Sequence, residues 1–340
     1  MSNYELFFGV LSAFLLSAFL VGFYRHLAIR HGFEDIPNER SSHSIVTPRG
    51  GGIACLIAWV LVSSFFFSRF SIVEIIVLYP CSMLVAAVGL YDDLFQIGAG
   101  KRAVVHIFAA AVMLSSLLFF GPPAPISISR TLVIILVFCT ILAIAWSVNL
   151  YNFMDGMDGI AATEAIFIFG IGGYFIWHKT QSALGFSALL LASTLTGFLL
   201  WNRPPAKIFM GDVGSGFLGF LVAAFAIVAF LKYDIPIAVW IILYGLFWYD
   251  ASLTLMRRIF AREKWYAAHR SHAYQRLHHI ANWSHARVLS HAIVLNAVLG
   301  IFALIGYYYQ SLLELMILLT FVFLTVSFSW IEKIAPFKLK

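Results

Sequence analysis

Long apolar stretches separated by short polar segments make up most of this 340-residue chain. A helix that crosses a bilayer needs about 20 mostly apolar residues, because it rises about 1.5 Å per residue across a hydrocarbon core roughly 30 Å thick. Roughly eleven stretches satisfy this requirement. They lie near residues 5–24, 51–68, 71–90, 103–120, 131–149, 160–177, 182–200, 214–231, 235–256, 288–309 and 311–331. The pattern predicts an all-α fold, a polytopic transmembrane helical bundle of about 11 spans, and one integral membrane domain over residues 1–340.

Composition supports the same fold class. Hydrophobic residues account for 61% of the chain and charged residues for only 11%, whereas soluble domains carry about 25% charged residues. The basic residues are unevenly distributed, since 18 of the 22 Lys and Arg fall in alternate connections that include residues 25–50, 201–213 and 257–287. Because positively charged loops stay on the cytoplasmic side, we expect the N-terminus outside, the C-terminus in the cytoplasm and the polar motifs on the cytoplasmic face.

Two adjacent acids, Asp92 and Asp93, lie at the predicted cytoplasmic end of the third span. Carboxylates beside a bilayer are costly and are often functional. Lys101 and Arg102 follow within ten residues, and both are suited to binding phosphate oxygens. The alternative is a pair of solvated interfacial acids with no role in chemistry.

Polar residues recur at every third position in the series Asn149, Asn152, Asp155 and Asp158. On a regular helix such steps drift around the axis, so the four side chains do not share one face. A glycine after each aspartate permits a local break that brings them together, and converging carboxylates favour a bound cation or a protonated partner. An Asp-Gly turn between two spans is the alternative, although it does not explain the asparagines.

Asp212 stands among glycines immediately before a long apolar stretch. Glycine lets backbone N–H groups approach a ligand closely, and the N-terminus of a helix favours an anion. The carboxylate is also a hard oxygen ligand of the kind that Mg²⁺ prefers. A simple helix N-cap is the alternative for this residue.

The connection 257–287 is basic and rich in histidine. His269 and His272 are predicted to donate to phosphate or sugar oxygens. Surface positions are predicted for the other histidines of this connection, His278, His279 and His285. Asp250 precedes Arg257 by seven residues, which is about two helical turns, so a structural pair on one helix face and a catalytic role are both open for it.

The connection 25–50 carries Arg40, His43 and Arg49 among turn-forming residues. Its content of Pro, Gly and Ser argues against a continuous helix. These side chains are suited to binding phosphate. A flexible basic loop without a ligand is the alternative.

Acids, amides, cations and glycine-rich segments therefore gather on one predicted membrane face. The chain has no Walker A segment and no dinucleotide-binding glycine pattern. Clustered Asp and Asn beside Lys and Arg suit a diphosphate bound with Mg²⁺, which usually takes one or two protein carboxylates plus substrate phosphates. A secondary transporter or a lipid flippase is the alternative, since spans interrupted by glycine and asparagine also occur in transporters.

Two segments carry a family resemblance: Asn149-Leu-Tyr-Asn152-Phe-Met-Asp155-Gly-Met-Asp158-Gly and Ile208-Phe-Met-Gly-Asp212-Val-Gly-Ser. With them the chain resembles the polyprenyl-phosphate N-acetylhexosamine-1-phosphate transferases (glycosyltransferase family 4), which include the translocase that starts peptidoglycan lipid synthesis. The loop from Asp35 to Gly52 resembles the branch that primes O-antigen and related surface polysaccharides. The resemblance extends from about residue 35 to about residue 272.

The resemblance implies a single integral membrane transferase domain in the bacterial inner (plasma) membrane. It implies UDP-N-acetylhexosamine and undecaprenyl phosphate as substrates, release of UMP, and Mg²⁺ as cofactor with Mn²⁺ as a substitute. Membrane lipid is the expected surrounding, no nucleic acid partner is expected, and a homodimer is an open alternative to a monomer. Catalytic roles are implied for Asp92, Asp93, Asp155 and Asp158, metal binding for Asp212 and Asn152, and substrate binding for Lys101, Asn149, His269, His272, Arg40 and His43.

The chain departs from the family pattern at two places. A third acid is common in relatives where this chain has Tyr91, and a denser histidine run is common where it has His269-Arg270-Ser271-His272. The first departure leaves the acidic pair intact. The second concerns the choice of sugar and the roles of the histidines, so the resemblance identifies neither which N-acetylhexosamine is used nor what each histidine does.

Overall fold

The computed structural model describes residues 3–37, 45–120, 129–264 and 269–337. These residues form fourteen α-helices, two short 3₁₀ turns and one two-stranded antiparallel ribbon, so the predicted all-α fold is confirmed. The helices are α1 (Asn3–His31), α2 (Gly52–Ser64), α3 (Ile72–Leu78), α4 (Pro80–Phe95), α5 (Ala99–Phe120), α6 (Arg130–Met154), α7 (Ile160–Thr180), α8 (Ala183–Asn202), α9 (Asp212–Tyr233), α10 (Ile237–Leu243), α11 (Gly245–Phe260), α12 (Ala273–His279), α13 (His285–Tyr308) and α14 (Leu313–Ile334). The 3₁₀ turns are Phe67–Arg69 and Gln310–Leu312, and the paired strands are β1 (Glu34–Asp35) and β2 (Thr47–Pro48).

Nine helical segments within the described ranges are long and apolar enough to cross a bilayer, which confirms a polytopic membrane protein. Helices α3 and α4 together form one of them, the 24-residue segment Ile72–Phe95. Helices α10 and α11, bent by 75° at their junction, make a tenth if the pair is one span. Helix α2 has only 13 residues, which extend about 20 Å and fall short of the hydrocarbon core. Two of the roughly eleven predicted spans therefore differ in the structure: α2 is too short, and the bent pair of α10 and α11 counts only if its two helices form one span.

The chain nevertheless passes from one end of the bundle to the other through α2 together with the 3₁₀ turn that follows it. Just before α2, the N–H of Gly51 donates to the carbonyl of Phe209 at 2.9 Å, beside the start of α9. After it, Arg69 pairs with Glu5 near the start of α1, with 3.4 Å between Nη2 and Oε1. The 3₁₀ turn and its flanking residues thus complete the crossing that the short helix begins. The end at which α4 finishes and α9 begins is called the acidic end below.

Helix α9 lies at the centre of the bundle. Within its apolar window 83% of the residues are buried, compared with 22% for α1, α6 and α14. It packs against α4 and α6, and glycines permit the close approach. A Cβ on Gly89 of α4 would overlap the backbone of Asp212, and a Cβ on Gly219 of α9 would overlap the backbone at Ser147 of α6. This packing places the end of α4 and the end of α6 beside the start of α9.

Candidate active site

The carboxylate of Asp93 caps the N-terminus of α9. Its Oδ1 accepts the N–H of Asp212 and its Oδ2 accepts the N–H of Val213, both at 3.1 Å. The N-cap residue is Gly211, whose φ of 78° is left-handed and which has no side chain to offer. Since the first N–H groups of a helix lack partners within the helix, Asp93 supplies the missing acceptors. The alternative in which Asp212 is itself a simple N-cap is therefore wrong.

Arg102 bridges acids from two helices. Its Nη1 lies 2.7 Å from Oδ2 of Asp92 and 2.5 Å from Oδ2 of Asp212. A second arginine, Arg49, approaches from the loop before α2 and donates to the backbone carbonyl of Asp93. Two cations that the sequence predicts as phosphate ligands therefore contact the acidic residues in this structure.

Asn152 holds the other carboxylate oxygen of Asp212. Its Nδ2 donates to Oδ1 of Asp212 at 2.9 Å and to the hydroxyl of Ser215 at 3.0 Å. Because the nitrogen faces Asp212, Asn152 orients this carboxylate here, whereas a metal-ligand role needs its Oδ1. Asn149 donates instead to the carbonyl of Ala145 in the preceding turn of α6, at 2.8 Å.

Asp155 follows the end of α6 and is half-buried. Burial raises the pKa of its carboxyl group well above the usual range, and the nearby charges of Asp212 and Asp93 raise it further. The raised pKa of Asp155 thus reflects burial first and the two neighbouring acids second. We refer to Asp92, Asp93, Asp155 and Asp212 together as the acidic cluster.

Asp158 faces a different set of partners. Its Oδ2 accepts the N–H of Ala206 at 3.1 Å and lies 3.0 Å from Nδ1 of His285. The same side chain lines a cavity of about 420 Å³ together with Thr47 and Ser284. The break between α6 and α7 therefore divides the predicted motif, since Asp155 belongs to the acidic cluster and Asp158 contacts other partners. His285 is half-buried beside Asp158, and His278 and His279 are half-buried as well, so none of these three histidines is fully exposed at the surface.

His272 is paired with Asp250 at the start of α12. Its Nδ1 lies 3.4 Å from Oδ1 of Asp250, and both side chains are buried. The same carboxylate accepts the N–H of Ala273 through both oxygens at 3.0 Å, so it caps α12 and orients the imidazole. The structural pair of Asp250 with Arg257 is wrong, since Arg257 pairs with Glu332 in α14.

His269 lies beside His272, with 4.9 Å between the ring centroids. Its Nδ1 accepts the N–H of Ser271 at 3.2 Å, so the neutral ring carries its proton on Nε2. Burial, followed by the charges of His272 and Arg258, lowers the pKa of His269 to about 3. At neutral pH this side chain is therefore an uncharged hydrogen-bond donor.

Tyr274 connects the histidine segment to the break after α6. Its hydroxyl donates to the carbonyl of Phe153 at 3.0 Å, across 121 positions of sequence, and its ring stacks on His272 at 5.9 Å between centroids. A Cβ on Gly156 would overlap the Tyr274 hydroxyl, so glycine is needed for this approach. The contact brings the histidines and the segment of Asp155 into one region at the acidic end.

Asp92 and Asp212 offer the best position for a cation. Their Oδ2 atoms converge on one atom, the Nη1 of Arg102. Within the described ranges, no group of three His, Cys, Asp or Glu side chains could hold a metal ion. Mg²⁺ usually takes one or two protein carboxylates and completes its shell with water and substrate phosphate. The donor set therefore fits a metal that binds together with a phosphate substrate.

Comparison with known proteins identifies the family. A family model described as glycosyl transferase family 4 matches residues 75–230, which contain the acidic cluster. A probable undecaprenyl-phosphate N-acetylglucosaminyl 1-phosphate transferase of Bacillus subtilis (strain 168) is 30% identical over 258 residues, covering 73% of this chain and 70% of the relative. This chain belongs to glycosyl transferase family 4.

Two further relatives in this family carry similar names. A decaprenyl-phosphate N-acetylglucosaminephosphotransferase of Mycolicibacterium smegmatis is 32% identical over 241 residues, which are 63% of this chain and 57% of the relative. An undecaprenyl-phosphate alpha-N-acetylglucosaminyl 1-phosphate transferase of Salmonella typhi is 28% identical over 220 residues, 63% of this chain and 59% of the relative. The match thus spans less than two thirds of these two proteins.

The family 4 segment does not contain all the predicted site residues. His269 and His272 lie beyond it. Lys101 lies within it, exposed in the first turn of α5, and its ammonium has no hydrogen-bond or ion-pair partner among the residues that the structure describes. Arg40 and His43 lie outside the described residues.

Two contacts in the site of this family 4 member were not predicted from the sequence. They are the cap that Asp93 forms on α9 and the pairing of Asp250 with His272. No short-range spacing indicates either contact, because the partners lie on separate helices. The only signal for Asp250 is a carboxylate inside an apolar stretch, which is costly unless it is paired.

Proposed function

We propose that this protein transfers N-acetylhexosamine-1-phosphate from a UDP-sugar to undecaprenyl phosphate, giving undecaprenyl-diphosphate-sugar and UMP. The observation that carries the proposal is the acidic cluster, in which carboxyl groups from α4, from the end of α6 and from α9 meet at one end of a membrane bundle. The names of the relatives, which specify N-acetylglucosaminyl 1-phosphate and a polyprenyl phosphate, support it. N-acetylglucosamine is therefore the first sugar to test.

The reaction we propose is a direct displacement. An oxygen of the lipid phosphate attacks the sugar-bearing phosphorus of the UDP-sugar, the bond from that phosphorus to the bridging oxygen breaks, and UMP leaves with that oxygen. A phosphate monoester has its second pKa near 6, so the lipid phosphate is mostly dianionic at neutral pH and needs little activation. This favours direct attack over a covalent aspartyl-phosphate.

The proposed roles follow from the contacts. Mg²⁺, or Mn²⁺ in its place, would be held by Asp212 and Asp92, whose Oδ2 atoms converge, or by Asp212 and Asn152 after the Asn152 amide turns its Oδ1 toward the ion. The ion would neutralise charge on the diphosphate. The Nε2–H of His269 and the imidazole of His272 would donate to phosphate or sugar oxygens. Lys101 would bind a phosphate oxygen with its exposed ammonium.

We place the acidic end in the cytoplasm, and the protein in the bacterial inner membrane, where it would prime O-antigen or a related surface polysaccharide. The excess of basic residues in the connections at this end supports the orientation. Single cysteines at Lys207, at the acidic end, and at Lys179, at the opposite end, test it in a variant without native cysteines. A membrane-impermeant maleimide should label position 179 in intact cells and position 207 only after permeabilisation.

The enzyme assay uses purified membranes, undecaprenyl phosphate, Mg²⁺ and a panel of UDP-N-acetylhexosamines, with formation of lipid-linked sugar followed by chromatography. We expect product with at least one sugar, and a fall of about 10²–10³-fold in turnover for Asp212→Asn, because the charged carboxylate that would hold the cation becomes a neutral amide. Glu314→Gln, an acid at the start of α14 at the opposite end, is the matched control and should keep wild-type turnover. Absence of product from every sugar, with Asp212→Asn indistinguishable from wild type, would overturn the proposal.

A further inference from the structure

One guanidinium nitrogen occupies the position between two acids of the cluster. The Nη1 of Arg102 contacts Oδ2 of Asp92 and Oδ2 of Asp212, at 2.7 and 2.5 Å. We propose that Arg102 is a positioning residue that stands in for the metal ion in the metal-free protein and turns to the substrate diphosphate when the metal binds. The inference rests on the proposed function, because it assumes a diphosphate substrate and a divalent cation.

The contacts of Asp212 show why the arginine and a metal compete. Its Oδ1 accepts the amide of Asn152, and its Oδ2 accepts Arg102. A cation that binds Oδ2 therefore has to take the place of the guanidinium, since two positive charges at contact distance on one oxygen repel each other strongly. Asp212 needs no rearrangement for this exchange, because Asn152 keeps the carboxylate in position.

Arg102 also explains how the acids stay together without a metal. The backbone cap of Asp93 on α9 fixes α4 against the start of α9, so Asp92 and Asp212 are held close whether or not a cation is present. Two carboxylates at such a distance repel each other unless a cation lies between them. In the metal-free state Arg102 supplies that cation.

Once the metal displaces it from the two carboxylates, the guanidinium of Arg102 can bind the phosphate oxygens of the substrate. Arg102 lies in the first turn of α5 with a side chain that is 23% exposed, so it reaches the open side of the cluster. Its planar fork binds phosphate oxygens in pairs, which an ammonium does not. The two positive charges of the divalent cation and the negative charges of the diphosphate enter the site together. The net charge of the site therefore changes little when the cation takes the place of Arg102. Binding of metal and UDP-sugar is thereby coupled through one side chain.

A permanent structural ion pair would behave differently. If Arg102 only ties α5 to α4 and α9, its removal weakens the fold and leaves metal affinity unchanged or lower. If it stands in for the metal, its removal weakens the metal-free protein and strengthens metal binding, because a competing cation is gone. The sign of the change in metal affinity therefore separates the two roles.

The test is a titration of detergent-purified full-length protein with Mg²⁺ alone, in the absence of UDP-sugar and lipid, read by melting temperature and by calorimetry. We expect Arg102→Ala to melt below wild type in EDTA and to bind Mg²⁺ about tenfold more tightly, since loss of a charged hydrogen bond is of that size. Lys207→Ala, which removes an exposed positive charge at the acidic end that contacts neither Asp92 nor Asp212 within the described residues, is the matched control and should change Mg²⁺ affinity by less than about threefold. Arg102→Gln serves if Arg102→Ala does not fold.

A second titration measures UDP-N-acetylglucosamine affinity at saturating Mg²⁺, where Arg102→Ala should bind at least about tenfold more weakly than wild type. Mg²⁺ binding by both Arg102 variants that is unchanged or weaker than wild type would overturn the inference. A wild-type protein whose melting temperature and calorimetric signal do not change with Mg²⁺ would overturn it too. The metal titration contains no sugar or lipid, so its result is independent of whether the transfer assay yields product.

Discussion

Asp93 and Asp212 are joined by a hydrogen bond from the backbone N–H of Asp212 to Oδ1 of Asp93, although 119 positions separate them in the chain. The bond ties the end of α4 to the start of α9. It leaves the side chain of Asp212 free to face Asn152 and Arg102. Asp93 therefore has a role in the fold that can be measured separately from any role in the reaction.

Replacement of Asp93 tests that role. Asp93→Ala should lower the free energy of unfolding by about 1–2 kcal/mol, because two N–H groups at the start of α9 lose their acceptor. Asp93→Asn keeps one acceptor oxygen and should lose less. Melting temperatures in detergent measure both changes. Asp92→Ala, which loses an ion pair but no helix cap, is the control, and equal melting temperatures for Asp93→Ala and Asp92→Ala would contradict the capping role.

Asp250 should act on turnover through His272. Asp250→Asn keeps an acceptor for the N–H of Ala273 but removes the charge that faces the imidazole, so we expect kcat to fall about 10–100-fold with the fold retained, as for other partners that orient a functional histidine. Steady-state kinetics with separate kcat and KM measure this. Thr254→Val removes another hydrogen bond to the same carboxylate and should leave kcat near wild type. Wild-type kinetics in Asp250→Asn would show that His272 does not depend on it.

His269 should make the protein sensitive to acid. Its pKa is lowered to about 3 in the folded state, whereas the unfolded chain has the usual value of about 6.5. The unfolded state therefore binds the proton first, and the stability contributed by this group is present above pH 6.5 and is lost as the pH falls towards 3. The melting temperature of His269→Gln should fall less steeply than that of wild type between pH 6.5 and 4. Parallel curves for the two proteins would contradict the prediction.

Glu164 and Asn296 form a buried polar pair between α7 and α13. Nδ2 of Asn296 lies 2.5 Å from Oε2 of Glu164, and both side chains are almost completely buried. A double-mutant cycle with Glu164→Ala and Asn296→Ala should give a coupling energy of about 0.6 kcal/mol and at most about 1.7 kcal/mol, the average and the maximum for polar pairs between membrane helices. Glu164→Gln retains an acceptor for Asn296 and should melt close to wild type. A coupling energy of zero would mean that the two helices do not depend on this contact.

Direct attack predicts that no sugar-1-phosphate becomes covalently attached to the protein. The protein is incubated with Mg²⁺ and UDP-N-acetylglucosamine labelled in the sugar-bearing phosphate, without lipid, and then analysed by mass spectrometry of its peptides. We expect no aspartate that carries N-acetylglucosamine-1-phosphate, and transfer of the label to lipid once undecaprenyl phosphate is added. Stoichiometric labelling of Asp92 or Asp93 before the lipid is added would instead establish a covalent route.

Hydropathy predicts most of the spans well, because lipid exposure imposes apolar composition on each span separately. The second predicted span, 51–68, shows the limit of this reasoning. Its composition is mostly apolar, yet α2 ends at Ser64 and a 3₁₀ turn begins at Phe67. Hydropathy measures composition over a window and does not register where the backbone leaves the α-helical conformation.

For the candidate site too, the sequence indicates which residues matter, and the tertiary structure decides which of them are in contact. The cost of a carboxylate or an amide beside lipid is a local property, and it was enough to select Asp92, Asp93, Asn152, Asp155 and Asp212 from the sequence. Which of these groups touch each other depended on how α4, α6 and α9 pack, because their partners lie far apart in the chain. The same holds for the separation of Asp158 from Asp155 and for the pairing of Asp250 with His272. Composition and spacing describe single helices, whereas these contacts arise only when close glycine-mediated packing brings several helix ends to one place.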